Sequence, residues 1–237
     1  MANQKVAIIT VIKNESKRLS EWVDFHFRFH DIDHFEFYLD YPDDDSEEVL
    51  NSFKYKYNIH YQYTREIRKE ATQWEGHSSP ELDAEQEYSF SLGYNKLRPH
   101  FDWIIIMDVD EWIVPTNIKE YNLKQTLLQV KENRTHLYHL TFCPPFDTSK
   151  SIIEQNFYRW DPAPYVTPAG LAIWPKTIMR GKLDKDCSVS IHWGSESVGK
   201  GVECKDFVLH HFQNHMYYKD EEFLTYDDSI LKMIRGV

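Results

Sequence analysis

Cysteine is scarce in this chain of 237 residues: the three present, Cys143, Cys187 and Cys204, match no zinc or redox spacing, and an odd number argues against a disulfide framework. Basic residues are also in the minority. With 27 Lys and Arg against 38 Asp and Glu, a formal charge of -11, the chain lacks the basic surface that a phosphodiester backbone requires, and nucleic-acid binding is disfavoured. No apolar run approaches the roughly 20 residues of a membrane span, and the short apolar stretch within Met1 to Lys13 has no small-residue cleavage site. A soluble protein of the reducing cytosol is the expectation, and any contact with a membrane would be peripheral. Internal repeats and low-complexity segments are missing as well.

What the chain does contain is enough apolar and aromatic material for a substantial core, 41% hydrophobic and 15% aromatic, at a length typical of one α/β domain with a decorated C-terminal part. The expected division is residues 1-143 and a closing region 144-237. Val6 to Ile12 is continuously apolar and β-branched, as for a strand covered on both faces. Leu19, Trp22, Val23, His26, Phe27 and His30 then recur at helical offsets, and Phe35 to Asp40 alternates as a strand. Asp43 to Glu48 puts acids at the start of the next helix, where they suit its dipole, and a strand follows at Ile59 to Thr64. Residues 65–80 read as a loop at the open end of the sheet. Ser79-Pro80-Glu81 combines an N-cap, a first-turn proline and an acid, predicting a helix to Leu97. A helix over Ile118 to Lys131 and a strand over Thr135 to Phe142 complete an alternation that implies a mostly parallel sheet. Beyond Pro145 the texture predicts strands at Ser188 to Trp193 and Phe207 to Phe212 and a helix over Lys219 to Arg235, whose pattern is still running near the last residue.

The sharpest feature lies between these elements. Trp103-Ile104-Ile105-Ile106-Met107 ends in Asp108-Val109-Asp110-Glu111-Trp112. If the strand continues through the acids, Asp108 and Asp110 share a face while Val109 turns to the core. Two carboxylates at the carboxyl end of a strand, where open α/β sheets collect ligands, want a cation.

The run Val6 to Glu15, then Leu19-Ser20-Glu21-Trp22-Val23 with His26, then Phe35 to Asp40 and Asp108 to Trp112, resembles in order and spacing the glycosyltransferase family 2-like group, including the related family 92. The resemblance covers roughly the first two thirds of the chain and resumes near His192 and His210-His211. It implies a GT-A α/β fold, with a mostly parallel central sheet and a smaller mixed C-terminal region, that transfers a sugar from a nucleotide-diphosphate donor. Two positions depart from the group: the acid-plus-serine loop reads Asp40-Tyr41-Pro42-Asp43-Asp44-Asp45-Ser46, and Trp112 stands where Phe is usual.

Such a transfer needs charge stabilised on the departing diphosphate, which Mn²⁺ or Mg²⁺ supplies through hard oxygen ligands. Asp110 is the leading metal ligand, with Asp108 beside it on the ribose or the metal. His211 is either a third ligand or a core histidine. Thr10, Lys13 and Asn14, at the end of the first strand, lie where a nucleotide would rest, Lys13 being alternatively a solvated loop lysine. Asp40 would accept from uracil or ribose, or be a turn aspartate before Pro42. By the resemblance Gln86 and Asn95 match donor-facing polar positions, Asn95 being alternatively a helix-surface amide. An inverting transfer also needs a carboxylate base at the acceptor hydroxyl, Glu111 or Glu196. Trp74, Trp160, Trp174 and Trp193 offer sugar-stacking faces or are core. The expected partners are a UDP-sugar and a glycan or glycolipid acceptor, in surface polysaccharide assembly. The alternatives are a nucleotidyltransferase, which normally carries a Gly-rich phosphate loop where this chain has Lys13-Asn14-Glu15-Ser16, and a non-catalytic carbohydrate-binding protein on the same fold.

Overall fold

The computed structural model describes residues 4–67, 84–119, 121–142, 158–160, 175–184, 186–192, 194–212, 224–226 and 228–236. Strand β1 (Val6–Ile12) lies inside a seven-stranded sheet. Its uninterrupted apolar run follows from cover on both faces: Val6, Ile8 and Ile12 enter one core, Ala7 and Ile9 the other. The first core is closed by helix α1 (Ser16–His30) through Leu19, Trp22 and Val23, the second by α3 (Ala84–Leu97) through Phe90, Tyr94 and Leu97. β2 (His34–Leu39) and β4 (Trp103–Ile106) flank β1 in parallel, and β3 (Ile59–Tyr63) runs parallel beyond β2. Beyond β4 the sense reverses. β9 (Lys176–Arg180) is antiparallel to both β4 and β6 (Arg134–Leu137), and β10 (Gly201–Glu203) is parallel to β6 at the edge. The central sheet is therefore mostly parallel, as the alternation of elements predicts.

A second sheet of five strands has the order β12 (Leu224–Tyr226), β8 (Tyr158–Trp160), β7 (His139–Phe142), β11 (Phe207–Phe212) and β5 (Glu111–Pro115). Its residues Trp112, Ile113, Phe207 and Leu209 join the same core as α1, so both sheets are packed through that helix. Three shorter α-helices, α2 (Ser46–Phe53), α4 (Leu123–Gln129) and α5 (Ser229–Arg235), and two 3₁₀ turns, Thr64–Glu66 and Glu196–Val198, complete the described chain.

Several local expectations are corrected. Phe25 takes the buried position on α1, while Phe27 is exposed and lies against Tyr57 at 4.6 Å between ring centroids. α4 starts at Leu123 and not near 118, because the Asn122 side chain accepts from Gln125 N at 2.9 Å and caps it there. The single strand expected over residues 135–142 is two strands, one in each sheet, split at Tyr138. Residues 188–192 form no strand. Cys187 N donates to Asn95 Oδ1 at 2.9 Å and Val189 N to Ser91 Oγ at 2.8 Å, so side chains of α3 satisfy the backbone that a neighbouring strand would. Asn95 is thus a clasp and not a free surface amide. Leu224–Tyr226 is a strand where a helix from residue 219 was expected. The loop at 68–80, the helix start at Ser79-Pro80, Cys143, Trp74, Trp174 and Trp193 lie outside the described residues, as do the side chains of Trp160 and Glu196.

Candidate active site

The carboxyl ends of β1, β2 and β4 meet at one edge of the central sheet. After β1, Asn14 adopts φ 55°, a left-handed turn that asparagine tolerates, and starts α1 two residues later. The acids that follow β2 lace onto this turn. Asp43 N donates to Asn14 Oδ1 at 2.6 Å, Glu15 N to Ser46 Oγ at 3.2 Å, and Ser16 N to Asp44 Oδ2 at 2.8 Å, so Asp44 satisfies an orphan donor at the start of α1. Lys13 Nζ and Asp40 Oδ2 pair at 3.3 Å across the ends of β1 and β2, and Thr64 Oγ1 donates to Asp40 Oδ1 at 3.3 Å. Thr10 departs from expectation. It faces the α1 side of β1, is buried, and among the described residues its hydroxyl reaches only the Val11 carbonyl, at 3.5 Å.

Strand β4 ends at Ile106, so Asp108 to Asp110 form a turn instead of an alternating strand end. Glu111 N donates to the Asp108 carbonyl at 3.2 Å, and Asp108 N donates to Glu111 Oε2 at 2.8 Å. The turn is held by its own third acid. Gln86 Nε2, from α3, donates to Asp108 Oδ1 at 3.2 Å, bringing together two residues that the sequence nominates separately. On the other oxygen Lys176 Nζ stands at 2.5 Å from Asp108 Oδ2, and 3.7 Å from Glu111 Oε1. Pairing of Ile106 with Thr177 puts the first residue of β9 beside the end of β4 and delivers this ammonium to the acids.

The second sheet supplies the opposite wall by register alone. His211 on β11 pairs with Glu111 on β5, and Leu209, two residues earlier, pairs with His139 on β7. Side chains two apart share a face, so Glu111, His211 and His139 converge while His210 turns away and packs against Phe142 at 4.6 Å. The alternation settles which of the two adjacent histidines belongs to the site. His211 Nε2 lies 3.3 Å from Asp110 Oδ2, His139 Nε2 lies 3.1 Å from Glu111 Oε1, and the two rings are 5.0 Å apart. The end of β11 is also fixed, because Phe212 N donates to the Asp110 carbonyl at 2.8 Å and Arg18 donates to the Phe212 carbonyl at 3.3 Å.

Charge in this pocket is strongly perturbed. Burial would raise Glu111, but the Lys176 ammonium and His139 outweigh it and hold the carboxyl well below its usual range. Burial, with the Glu111 and Asp110 carboxylates, pushes Asp108 up against the opposing pull of Lys176. Lys176 is driven higher despite burial, by Asp108 and Glu111, and stays charged. Burial lowers His139 and so favours a neutral ring; for His211, burial is outweighed by the Asp110 carboxylate, which raises it. Burial pushes Glu15 up to about 7, assisted by Asp110, Asp44 and Asp108 and opposed by Arg18, which places it among the charges of the same cleft.

Glu111 therefore cannot meet an acceptor as expected of a base: it is fully buried, and its oxygens face Asp108 N, His139 and Lys176. Lys176, His139 and Glu15 escaped the sequence reading. Glu15 stood in the Lys13-Asn14-Glu15 loop, and Lys176 opens a strand that also contains Thr177 and Arg180, so its charge gives no local signal. His139 directly follows the strand break at Tyr138, which no periodicity signals.

A family model described as glycosyltransferase family 92 matches residues 6–231. Among curated proteins no match was found. Solved structures with the same fold include mannosyl-3-phosphoglycerate synthase from Rubrobacter xylanophilus, with a TM-score of 0.51, 11% identity and 90% of this chain aligned to 68% of that one. Residues 1-349 of S. aureus TarS align with a TM-score of 0.50 and 12% identity, over 88% of this chain and 60% of that one; TarS has also been solved with UDP. The chain thus spans about two thirds of the length of these structures. The arrangement they share with it is the GT-A fold.

Proposed function

The chain belongs to glycosyltransferase family 92 and is a glycosyltransferase, and from that premise we propose that it moves a sugar from a UDP-sugar to a glycan or glycolipid acceptor with the help of a divalent ion, inverting the anomeric centre. The observation that carries this reading is the meeting of Asp108, Asp110 and His211 at the carboxyl end of β4, with Asp110 Oδ2 at 3.3 Å from His211 Nε2. The residues suit an ion. A carboxylate and an imidazole that approach each other in a cleft surrounded by further acids form a donor set for a divalent cation. Such an ion neutralises the developing charge on a leaving diphosphate.

Asp110 and His211 are the proposed ligands. Asp108 has one oxygen on Gln86 and the other on Lys176, and its fixed orientation supports a role in orienting the donor ribose. The Lys13–Asp40 pair and Asn14 flank the place where the nucleotide would rest, and the TarS structure with UDP makes that nucleotide the one to test first. Thr10 is left to the core. Glu111 is assigned to building the site and not to deprotonating the acceptor, because a base must reach the hydroxyl it activates. Among the described residues no helix is long and apolar enough to cross a membrane, so a lipid-linked acceptor would be met by these residues from the membrane surface.

Titration calorimetry with UDP tests the proposal directly. Binding should require Mn²⁺ or Mg²⁺ and should be lost in Asp110→Ala. Undiminished binding in that variant would reject the assigned site.

A further inference from the structure

We propose that Tyr41 is a stacking platform for the base of the donor nucleotide, held at the rim of the cleft by a strained backbone. The identity of the ligand rests on the transferase reading above, whereas the placement of Tyr41 is argued from the loop itself. Tyr41 adopts φ 42°. Glycine takes this left-handed conformation freely and asparagine tolerates it, as Asn14 does at the same edge, but in a bulky residue it presses the β-carbon against the chain. Pro42 restricts Tyr41 further, because the residue before a proline is pushed toward extended backbone.

The neighbours on both sides hold it there. Asp40 N donates to the Ile12 carbonyl at 2.8 Å, and the Asp40 carboxylate is taken by Lys13 and Thr64, each at 3.3 Å. Beyond Pro42, Asp43 N donates to Asn14 Oδ1 at 2.6 Å, and Ser46 N donates to Asp44 Oδ1 at 3.0 Å. The chain must therefore pass from the end of β2 back onto the turn after β1 through Tyr41 and Pro42 alone. Strain that its surroundings over-determine in this way gathers at ligand sites.

Position then selects the ligand. The loop leaves the sheet beside the carboxyl ends of β1 and β2, where an open α/β sheet receives ligands. Of the large apolar side chains exposed among the described residues, Phe27, Tyr41, Tyr55 and Leu128, Tyr41 alone lies at this edge, with 41% of its surface open. Asp40, Asp43, Asp44 and Asp45 crowd the same loop and repel a diphosphate, so the uncharged end of a nucleotide is the end that faces it. An aromatic ring accepts the flat face of a base, and such stacking is worth about fivefold to a hundredfold in affinity. Every base has such a face, so Tyr41 supplies affinity and not base identity. Tyr41 and Pro42 also stand in the loop in which the chain departs from the glycosyltransferase family 2-like group, which makes the platform a feature of this chain.

Calorimetry with UDP, GDP and ADP in the presence of Mn²⁺ tests the platform in three variants. Affinity for the nucleotide that binds tightest should fall at least about fivefold in Tyr41→Ala and change by less than about twofold in Tyr41→Phe, which keeps the ring. Tyr41→Gly should lose the same affinity and yet melt at a higher temperature than Tyr41→Ala, since glycine relieves the strain and alanine does not. Undiminished binding in Tyr41→Ala, or a Tyr41→Gly variant no more stable than Tyr41→Ala, would overturn the proposal. The two readings fail separately. GDP or ADP bound in place of UDP, and weakened in Tyr41→Ala, removes the uridine donor and leaves the platform standing. UDP bound equally by the wild type and Tyr41→Ala does the reverse, and a protein that binds none of the three overturns both.

Discussion

The Trp22 indole N–H donates to the Glu111 carbonyl at 2.7 Å, tying the helix α1 to the first residue of the strand that carries the buried acid. Two further side chains of the same stripe reach the same strand. Ile113 N donates to His26 Nε2 at 3.3 Å, and His30 Nε2 donates to the Ile113 carbonyl at 2.7 Å. Among the described residues β5 is the outermost strand of its sheet, and none of their strands bonds its outward peptide groups. Residues spaced four apart on a helix line up along its axis, and Trp22, His26 and His30 use that spacing to stand in for the missing strand. The Trp22 and His26 positions of the family-like signature thus build the floor of the site and are themselves fully buried.

Trp22→Phe tests that role, because the ring can still pack against Phe35 and Phe37, 5.9 and 6.1 Å away, while the donor is removed. An unsatisfied buried carbonyl costs about 1–3 kcal/mol. Urea denaturation should show a loss of that size, and a loss of under about 0.5 kcal/mol would mean that water or a shift of β5 replaces the bond.

The same stripe predicts acid sensitivity. His26 Nδ1 donates to the Trp22 carbonyl at 2.9 Å while its Nε2 accepts from Ile113 N, so both bonds require a neutral ring. Burial pushes His30 down to about 4 even though its bond to Ile113 pulls the other way. The unfolded chain takes up protons near pH 6.5 that the folded chain refuses, so the contribution is complete above that pH and is lost as pH falls toward about 4. For His30 alone the difference is about 3 kcal/mol. Urea midpoints at pH 7.5 and 4.5 should therefore differ more in the wild type than in His30→Gln; parallel pH profiles would show that His30 does not refuse the proton.

The parallel part of the central sheet, β1 to β4, was legible from its apolar and alternating runs, whereas β9 and β10 were not anticipated. β4 is apolar at every position and β1 at all but Thr10, since both faces are buried, and the Asp108–Asp110 junction stood out as the end of such a run. The second sheet was not legible to the same degree. Tyr138 gives no sign that the chain changes sheets there, and the extended segment before Gly194 looks like a strand although Ser91 and Asn95 hold it against a helix. The acids were found and their geometry was not, because alternation predicts a strand through Asp110 while the chain turns at Val109. Lys176 and His139 act at the site only through pairing registers with distant strands, Thr177 with Ile106 and His139 with Leu209, and no local pattern encodes such pairings.

The register of β9 has its own lock. A β-carbon on Gly181, the residue after β9, would stand 1.9 Å from the Phe101 carbonyl oxygen, a backbone atom that cannot swing aside. Gly181→Ala must therefore push β9 away from the approach to β4, and overpacking of this kind costs about 1–3 kcal/mol. Because β9 begins at Lys176, the shift should also weaken UDP binding although Gly181 lies at the opposite end of the strand. A fall in thermal midpoint with unchanged UDP affinity would show that Lys176 is held independently of the register.

Lys176 and Asp108 provide the sharpest test of how charge is balanced at the site. The ammonium is almost wholly buried, and Asp108 keeps 30% of its side-chain surface exposed, so the loss of each partner has unequal consequences. Lys176→Met leaves Asp108 and the buried Glu111 facing each other without a cation, and stranding buried charge in this way costs about 3–5 kcal/mol. Asp108→Asn alone should cost less, since Glu111 still faces Lys176 at 3.7 Å. In the double variant one of the repelling carboxylates is gone, and stability should recover part of the Lys176→Met loss, a coupling of about 0.5–3 kcal/mol in a double-mutant cycle by denaturation. Additive losses would mean that Glu111 alone is the partner Lys176 neutralises, and that Asp108 is free to turn toward a ligand without paying for a broken pair.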